Sequence, residues 1–60
     1  MVMKVQHKNS QEVFNLSEPK YCKFFGVYGI LIMTIRKEIY FVVGSDTNDL
    51  HNITDEFEEV

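Results

Sequence analysis

The stretch FFGVYGILIMTIRKEIYFVVG, residues 24–44, constrains the fold of this chain more than any other feature. It gathers most of the apolar side chains, and charge interrupts it only at Arg36, Lys37 and Glu38. A membrane-spanning helix needs about 20 consecutive, mostly apolar residues, whereas shorter runs are core. The run before Arg36 is twelve residues long. Its β-branched and aromatic side chains favour strands over helix. The stretch therefore predicts an antiparallel hairpin inside a folded domain, with no membrane segment.

A two-residue connection at Arg36-Lys37 would pair Thr34 with Ile39, Met33 with Tyr40, Ile32 with Phe41 and Leu31 with Val42. Ile30, Ile32, Ile39, Phe41 and Val43 then share one face, and Leu31, Met33, Ile35, Tyr40 and Val42 the other. Arg-Lys suits such a turn poorly, because its central residues need positive φ. A loop one or two residues longer would shift the register and move side chains between faces. In either register both faces are apolar, so both need cover. Each large side chain left in water forfeits about 1.5–3 kcal/mol, and five of them rival the whole stability of a small domain.

Around the hairpin, VMKVQHK alternates, with Met1, Met3, Val5 and His7 on one face, and KNSQ follows as a turn cluster. EVFNL predicts a second short strand with Phe14 and Leu16 directed alike, and Pro19 interrupts the pairing. KYCKFFGV predicts a third, with Gly26 and Gly29 permitting a tight turn, which we place at Tyr28-Gly29. Beyond Gly44, Leu50, Ile53, Phe57 and Val60 recur at the spacing of one helical face, and Ser45, Asp46 and Thr47 are N-cap candidates. Asn52 and Thr54 are weak helix formers within that segment. The expected fold is α+β: an antiparallel meander of four to five strands, at about residues 1–8, 12–16, 20–27, 30–35 and 38–43, with one C-terminal helix at about 47–59. The meander could close into a small SH3-like barrel, which would cover the second face internally. Otherwise another chain must cover it.

At 60 residues the chain is one small domain, near the limit for folding without staples. Cys22 is its only cysteine, which excludes an internal disulfide and suits a reducing compartment. The N-terminus lacks an apolar run behind a basic start, so the expected location is the cytoplasm, and the acceptor triplets at Asn15 and Asn52 are coincidental.

The chemistry-bearing residues are sparse. His7, His51 and Cys22 lack metal-ligand spacing, and GVYG matches no phosphate-binding pattern. Cys22 reads as a small buried hydrophobe and the histidines as surface or rim residues. Nothing in the sequence places Ser10, Ser17, Ser45 or Cys22 beside a histidine base. We therefore expect no enzyme activity, metal or cofactor.

Charge is divided unevenly. Residues 1–45 balance at +3, and residues 46–60 hold six carboxylates with no Lys or Arg, for a net −3. A helix so charged is most simply a solvated face, and it could also dock on a basic protein surface or imitate a phosphate backbone. These features predict a small non-catalytic protein-binding module. It would act as a modulator or inhibitor of a larger protein through Asp49, Asp55, Glu56 and Glu59, with Tyr28 and Tyr40 as exposed aromatics, or as a structural homodimer. The rival is a nucleic-acid-binding barrel using Lys20, Lys23, Arg36 and Lys37, which the net negative charge opposes.

Overall fold

A computed structural model of the chain describes residues 3–44 and 50–60. The described residues contain seven strands: β1 (Lys4–His7), β2 (Val13–Asn15), β3 (Lys20–Phe24), β4 (Val27–Met33), β5 (Ile39–Val42), β6 (Leu50–Asn52) and β7 (Phe57–Glu59). They form two antiparallel sheets, in the orders β2-β1-β7 and β3-β4-β5-β6. The expected single meander is thus two sheets, and they do not close into a barrel.

The C-terminal helix is absent from the described residues. One 3-10 turn, Thr54–Glu56, is the only helical element there, and the start of the expected helix, residues 47–49, lies outside the described residues. Local side-chain bonds explain why helical spacing fails. Asn52 Oδ1 accepts from the backbone N–H of Thr54 at 3.1 Å and from its hydroxyl at 2.6 Å. Thr54 Oγ1 in turn accepts from the backbone N–H of Ile39 at 2.9 Å. Short polar side chains that bond nearby backbone compete with helix. The segment instead pairs with β5 through β6, crosses at Ile53 and pairs with β1 through β7. Ile53 and Phe57, three and seven residues beyond Leu50, are buried, whereas Leu50 and Val60 are exposed.

Two turns also differ from expectation. The β3–β4 hairpin turns at Phe25-Gly26, both with positive φ, rather than at Tyr28-Gly29. Tyr28 and Gly29 lie within β4, and Gly29 is there to accommodate an aromatic ring. A Cβ at Gly29 would stand 2.5 Å from the Val42 carbonyl oxygen and 2.8 Å from the Phe41 ring. In the central hairpin the loop is residues 35–37, with Lys37 at φ 64°. Thr34 and Glu38 close it: the Thr34 N–H donates to the Glu38 carbonyl, and the Lys37 N–H to the Thr34 carbonyl. Three-residue loops of this kind place their last residue in the left-handed region.

That extra loop residue shifts the register by one. Met33 pairs with Ile39, Ile32 with Tyr40, Leu31 with Phe41 and Ile30 with Val42. Leu31, Met33, Ile39 and Phe41 consequently share the inner face, and Ile30, Ile32, Tyr40 and Val42 the outer. The core between the sheets is Val5, Leu16, Phe24, Leu31, Ile39, Phe41, Ile53 and Phe57, with Phe14, Cys22, Met33 and Val43 packed against it. Phe24 is its hub, in edge-to-face contact with Phe41 at 5.5 Å and Phe57 at 5.9 Å.

Candidate functional site

The inner face of the four-stranded sheet packs its core residues against the three-stranded sheet, and its outer face is lined mainly by apolar and aromatic side chains. Cross-strand partners project to the same side. β3 contributes Tyr21 and Lys23 to the outer face, β4 contributes Tyr28, Ile30 and Ile32, β5 contributes Tyr40 and Val42, and β6 contributes Leu50 and Asn52. Tyr21 is 73% exposed, Tyr28 61%, Leu50 47% and Ile30 40%. Lys23 is the one formally charged residue among those the pairing places on this face. Its Nζ sits 5.4 Å from the Tyr28 ring centroid, and Tyr28 stacks on Tyr21 at 5.7 Å with an interplanar angle of 9°. Such contacts hold the tyrosines as a fixed aromatic platform.

The exposed hairpin tip beside this platform is strained. Phe25 is 65% exposed and adopts φ 55°, a region that bulky side chains rarely enter. Asn-Gly is the ordinary solution for such a turn. The ring of Phe25 leans towards Phe24 and Phe41, at 6.1 and 6.4 Å, which partly offsets the strain.

The other residues singled out by sequence are scattered. Tyr28 and Tyr40 do share the outer face, but only Tyr28 is exposed as expected; Tyr40 is half-buried between its strand neighbours. Asp49 lies outside the described residues. Asp55 and Glu56 belong to the 3-10 turn, and Glu59 is in β7, where Lys37 Nζ approaches its carboxylate at 3.5 Å. Among the described residues no helical face unites Asp55, Glu56 and Glu59. The cations are equally dispersed. Lys20 pairs with Glu18 at 3.3 Å, and Arg36 and Lys37 occupy the loop at the opposite end of β4 from Lys23.

His7 corrects the expectation of a rim residue, because only 7% of it is exposed. Its ring lies against Phe24 at 5.0 Å and Phe57 at 5.1 Å. Nδ1 accepts from the Ser10 N–H at 3.3 Å and stands 3.2 Å from the Ser10 hydroxyl, while Nε2 donates to Glu56 Oε1 at 3.1 Å. Hydroxyl, imidazole and carboxylate thus meet in the order of a nucleophile relay, which the sequence did not reveal. Their bonding is that of a structural clamp. Ser10 Oγ also accepts from the Glu12 N–H at 3.3 Å, and the His7 backbone closes the same loop by bonding Gln11 and Glu12. The carboxylate fastens that loop to the 3-10 turn, and so β1 to the approach of β7.

A groove of about 180 Å³ opens between the sheets over Met3, Val5, Met33, Ile39 and Phe57. Small-molecule sites usually occupy about 300–1,000 Å³, so this groove is small for a substrate. Cys22 lies half-buried on the inner side of β3, opposite Gly29. Burial pushes its thiol pKa up, and the Glu12 carboxylate adds to the shift. A raised pKa lowers the thiolate fraction, opposite to what a nucleophilic cysteine needs. Among the described residues no three His, Cys, Asp or Glu side chains converge as metal ligands would, and no helix is long and apolar enough to cross a membrane.

Comparison with protein-family models, with curated proteins and with solved structures finds no match for this chain. Function must therefore be argued from the surface itself.

Proposed function

We propose that this chain is a small, non-catalytic, cytoplasmic protein-binding module that docks onto protein through the outer face of its four-stranded sheet. The observation that carries this reading is the apolar platform of Tyr21, Tyr28, Ile30, Ile32, Tyr40 and Val42, uninterrupted by carboxylates among the residues paired there. Interface centres are depleted in charge and enriched in tyrosine, and contiguous apolar patches on small proteins mark interaction sites. Nucleic acid is a poorer fit. Neutralising a phosphate backbone takes several cations, and this face offers Lys23 alone.

Site-specific photo-crosslinking in the native cell tests the reading. Benzoylphenylalanine at Tyr28 should form protein adducts that the same group at Val13, on the outside of the other sheet, does not form. Equal adduct yields at the two positions, or none at either, would refute it. Tight single-stranded DNA or RNA binding that falls steeply with salt would replace it with the nucleic-acid alternative.

A further inference from the structure

We propose that His7 is a proton switch for the β1–β2 loop: when the imidazole takes up a proton it drops its hold on Ser10 and keeps its hold on Glu56. The loop belongs to the three-stranded sheet and the proposed docking face to the other, so the switch goes beyond the binding reading and does not depend on it.

A donor that cannot turn fixes the tautomer of the neutral ring. The backbone N–H of Ser10 donates to Nδ1 at 3.3 Å, so Nδ1 is the bare nitrogen and the ring proton sits on Nε2, 3.1 Å from Glu56 Oε1. The Ser10 hydroxyl, 3.2 Å from Nδ1, can direct its own proton at the same lone pair. Both nitrogens of this buried ring are thus satisfied.

A further proton, taken from water at Nδ1, reverses one side of the ring alone. Imidazolium donates at both nitrogens. On the Nε2 side the bond to Glu56 becomes an ion pair, which strengthens it. On the Nδ1 side the new N–H faces the Ser10 N–H, donor against donor. The Ser10 hydroxyl can turn to accept, but the Ser10 backbone loses its acceptor and must turn to water.

One carboxylate answers the added charge. Among the described residues, Glu56 is the charged side chain bonded to the ring, and Asp55 beside it on the 3-10 turn is exposed. β3 packs Phe24 against the ring and β7 packs Phe57, both uncharged. From the loop, Lys8 and Glu12 bond through backbone: the Lys8 N–H donates to the Glu56 carbonyl, and the His7 N–H to the Glu12 carbonyl.

The loop is built to respond. Gln11, directly after Ser10, adopts φ 63°, a region that side chains seldom enter. Its N–H donates to the His7 carbonyl at 2.8 Å, and Gln6 Nε2 donates to its carbonyl at 3.0 Å. Strained backbone persists only where its surroundings over-determine it, and the Ser10 tie is one of those restraints. Protonation removes that tie and spares the Lys8 bond to the 3-10 turn. Acid therefore frees the tip of the loop and leaves its base fastened.

Nuclear magnetic resonance of the wild-type chain from about pH 8 to pH 5, the range in which histidine ordinarily exchanges its proton, tests the switch. At the upper end the His7 ring nitrogens should show Nδ1 bare and Nε2 protonated. As the ring titrates, exchange of the Ser10 amide should rise about tenfold beyond its intrinsic pH dependence, the worth of one hydrogen bond, with the midpoint of the ring itself. The Lys8 amide should keep its protection throughout. His7→Gln, whose amide oxygen can take the Ser10 N–H but no proton, should return Ser10 exchange to the intrinsic dependence. A neutral ring protonated at Nδ1, or a Ser10 amide that stays protected while His7 titrates, would overturn the proposal. Loss of Lys8 protection in step with Ser10 would do so too, because the base of the loop would then be opening with its tip. So would a folded His7→Gln that keeps the additional pH dependence. The wild-type readings decide the matter even if His7→Gln fails to fold, and none of them bears on cross-linking at Tyr28.

Discussion

On the outside of the three-stranded sheet, Lys4, Gln6, Asn15 and Glu58 face water beside Val13. On the outside of the four-stranded sheet, the corresponding positions are Tyr21, Tyr28, Ile30, Ile32, Tyr40 and Val42. The inner sides of both meet in one core. One sheet is therefore polar on its outer side, as a half-solvated antiparallel sheet is, and the other is apolar on both sides. The molecule is its own control: the same chain, in the same solvent, keeps one surface polar and leaves the other apolar.

The largest expected effect tests the shared part of that comparison. Phe41 is fully buried against Phe24 and Gly29. Phe41→Ala should destabilise by about 3–5 kcal/mol, enough to abolish folding at physiological temperature. If amides of β1, β2 and β7 kept their exchange protection in that variant, the two sheets would not share one cooperative core. The next effect has the opposite sign. Phe25→Asn supplies the side chain that a two-residue turn of this type prefers, and relief of the left-handed strain should stabilise by about 1 kcal/mol, read as a higher denaturation midpoint. A lower midpoint would mean that contact with Phe24 and Phe41 outweighs the strain, and that the tip belongs to the core.

A smaller effect compares the two outer faces directly. A double-mutant cycle on Tyr21 and Tyr28, measured as monomer by denaturant unfolding, should show a coupling of about 0.5–1 kcal/mol. The cross-strand pair Lys4 and Asn15 on the solvated face should show almost none. Equal couplings would remove the claim that one face is a pre-formed platform. The smallest effect concerns Cys22. Because the folded thiol titrates above its ordinary value, alkylation by iodoacetamide at neutral pH should be slower than in the unfolded chain, and should accelerate only above the pH at which a free thiol ionises. The same sign makes ionisation of Cys22 favour the unfolded state as pH rises through the alkaline range. A rate equal to that of the unfolded chain would place the thiol in open solvent.

The strands of the first 44 residues were legible in local sequence, whereas the α+β fold class with its C-terminal helix was not what formed. The alternation of Val5 and His7 with Lys4 and Gln6, the turn cluster before Glu12, and a central antiparallel hairpin apolar on both faces follow from the period of two and the turn residues. What local sequence misjudged, it misjudged by small margins with large results. One additional loop residue at Ile35 exchanged the two faces of the central hairpin. A turn at Phe25-Gly26 rather than Tyr28-Gly29 lengthened β4 and made Gly29 a seat for the Phe41 ring. Helical spacing after Gly44 described residues that two sheets compete to pair, and pairing prevailed because Asn52 satisfies the Thr54 N–H locally while Thr54 Oγ1 accepts from the Ile39 N–H on β5. Of the candidate site, Tyr28 and Tyr40 could be named in advance, whereas Tyr21, Ile30 and Val42 join them only once the register is known. The meeting of His7, Ser10 and Glu56 spans 49 residues of sequence and left no local signal beyond the proximity of His7 and Ser10.

The sequence by itself determined that residues 24–44 would be dominated by strands rather than helix, that an internal disulfide was excluded, and that both faces of the central hairpin would be apolar. Those properties depend on side-chain chemistry, alternation and composition, which act over a few residues. Only the tertiary structure decided which face looks inward. That choice depends on long-range pairing of β6 with β5 and β7 with β1, which draws the C-terminal segment into both sheets and leaves one apolar surface without cover.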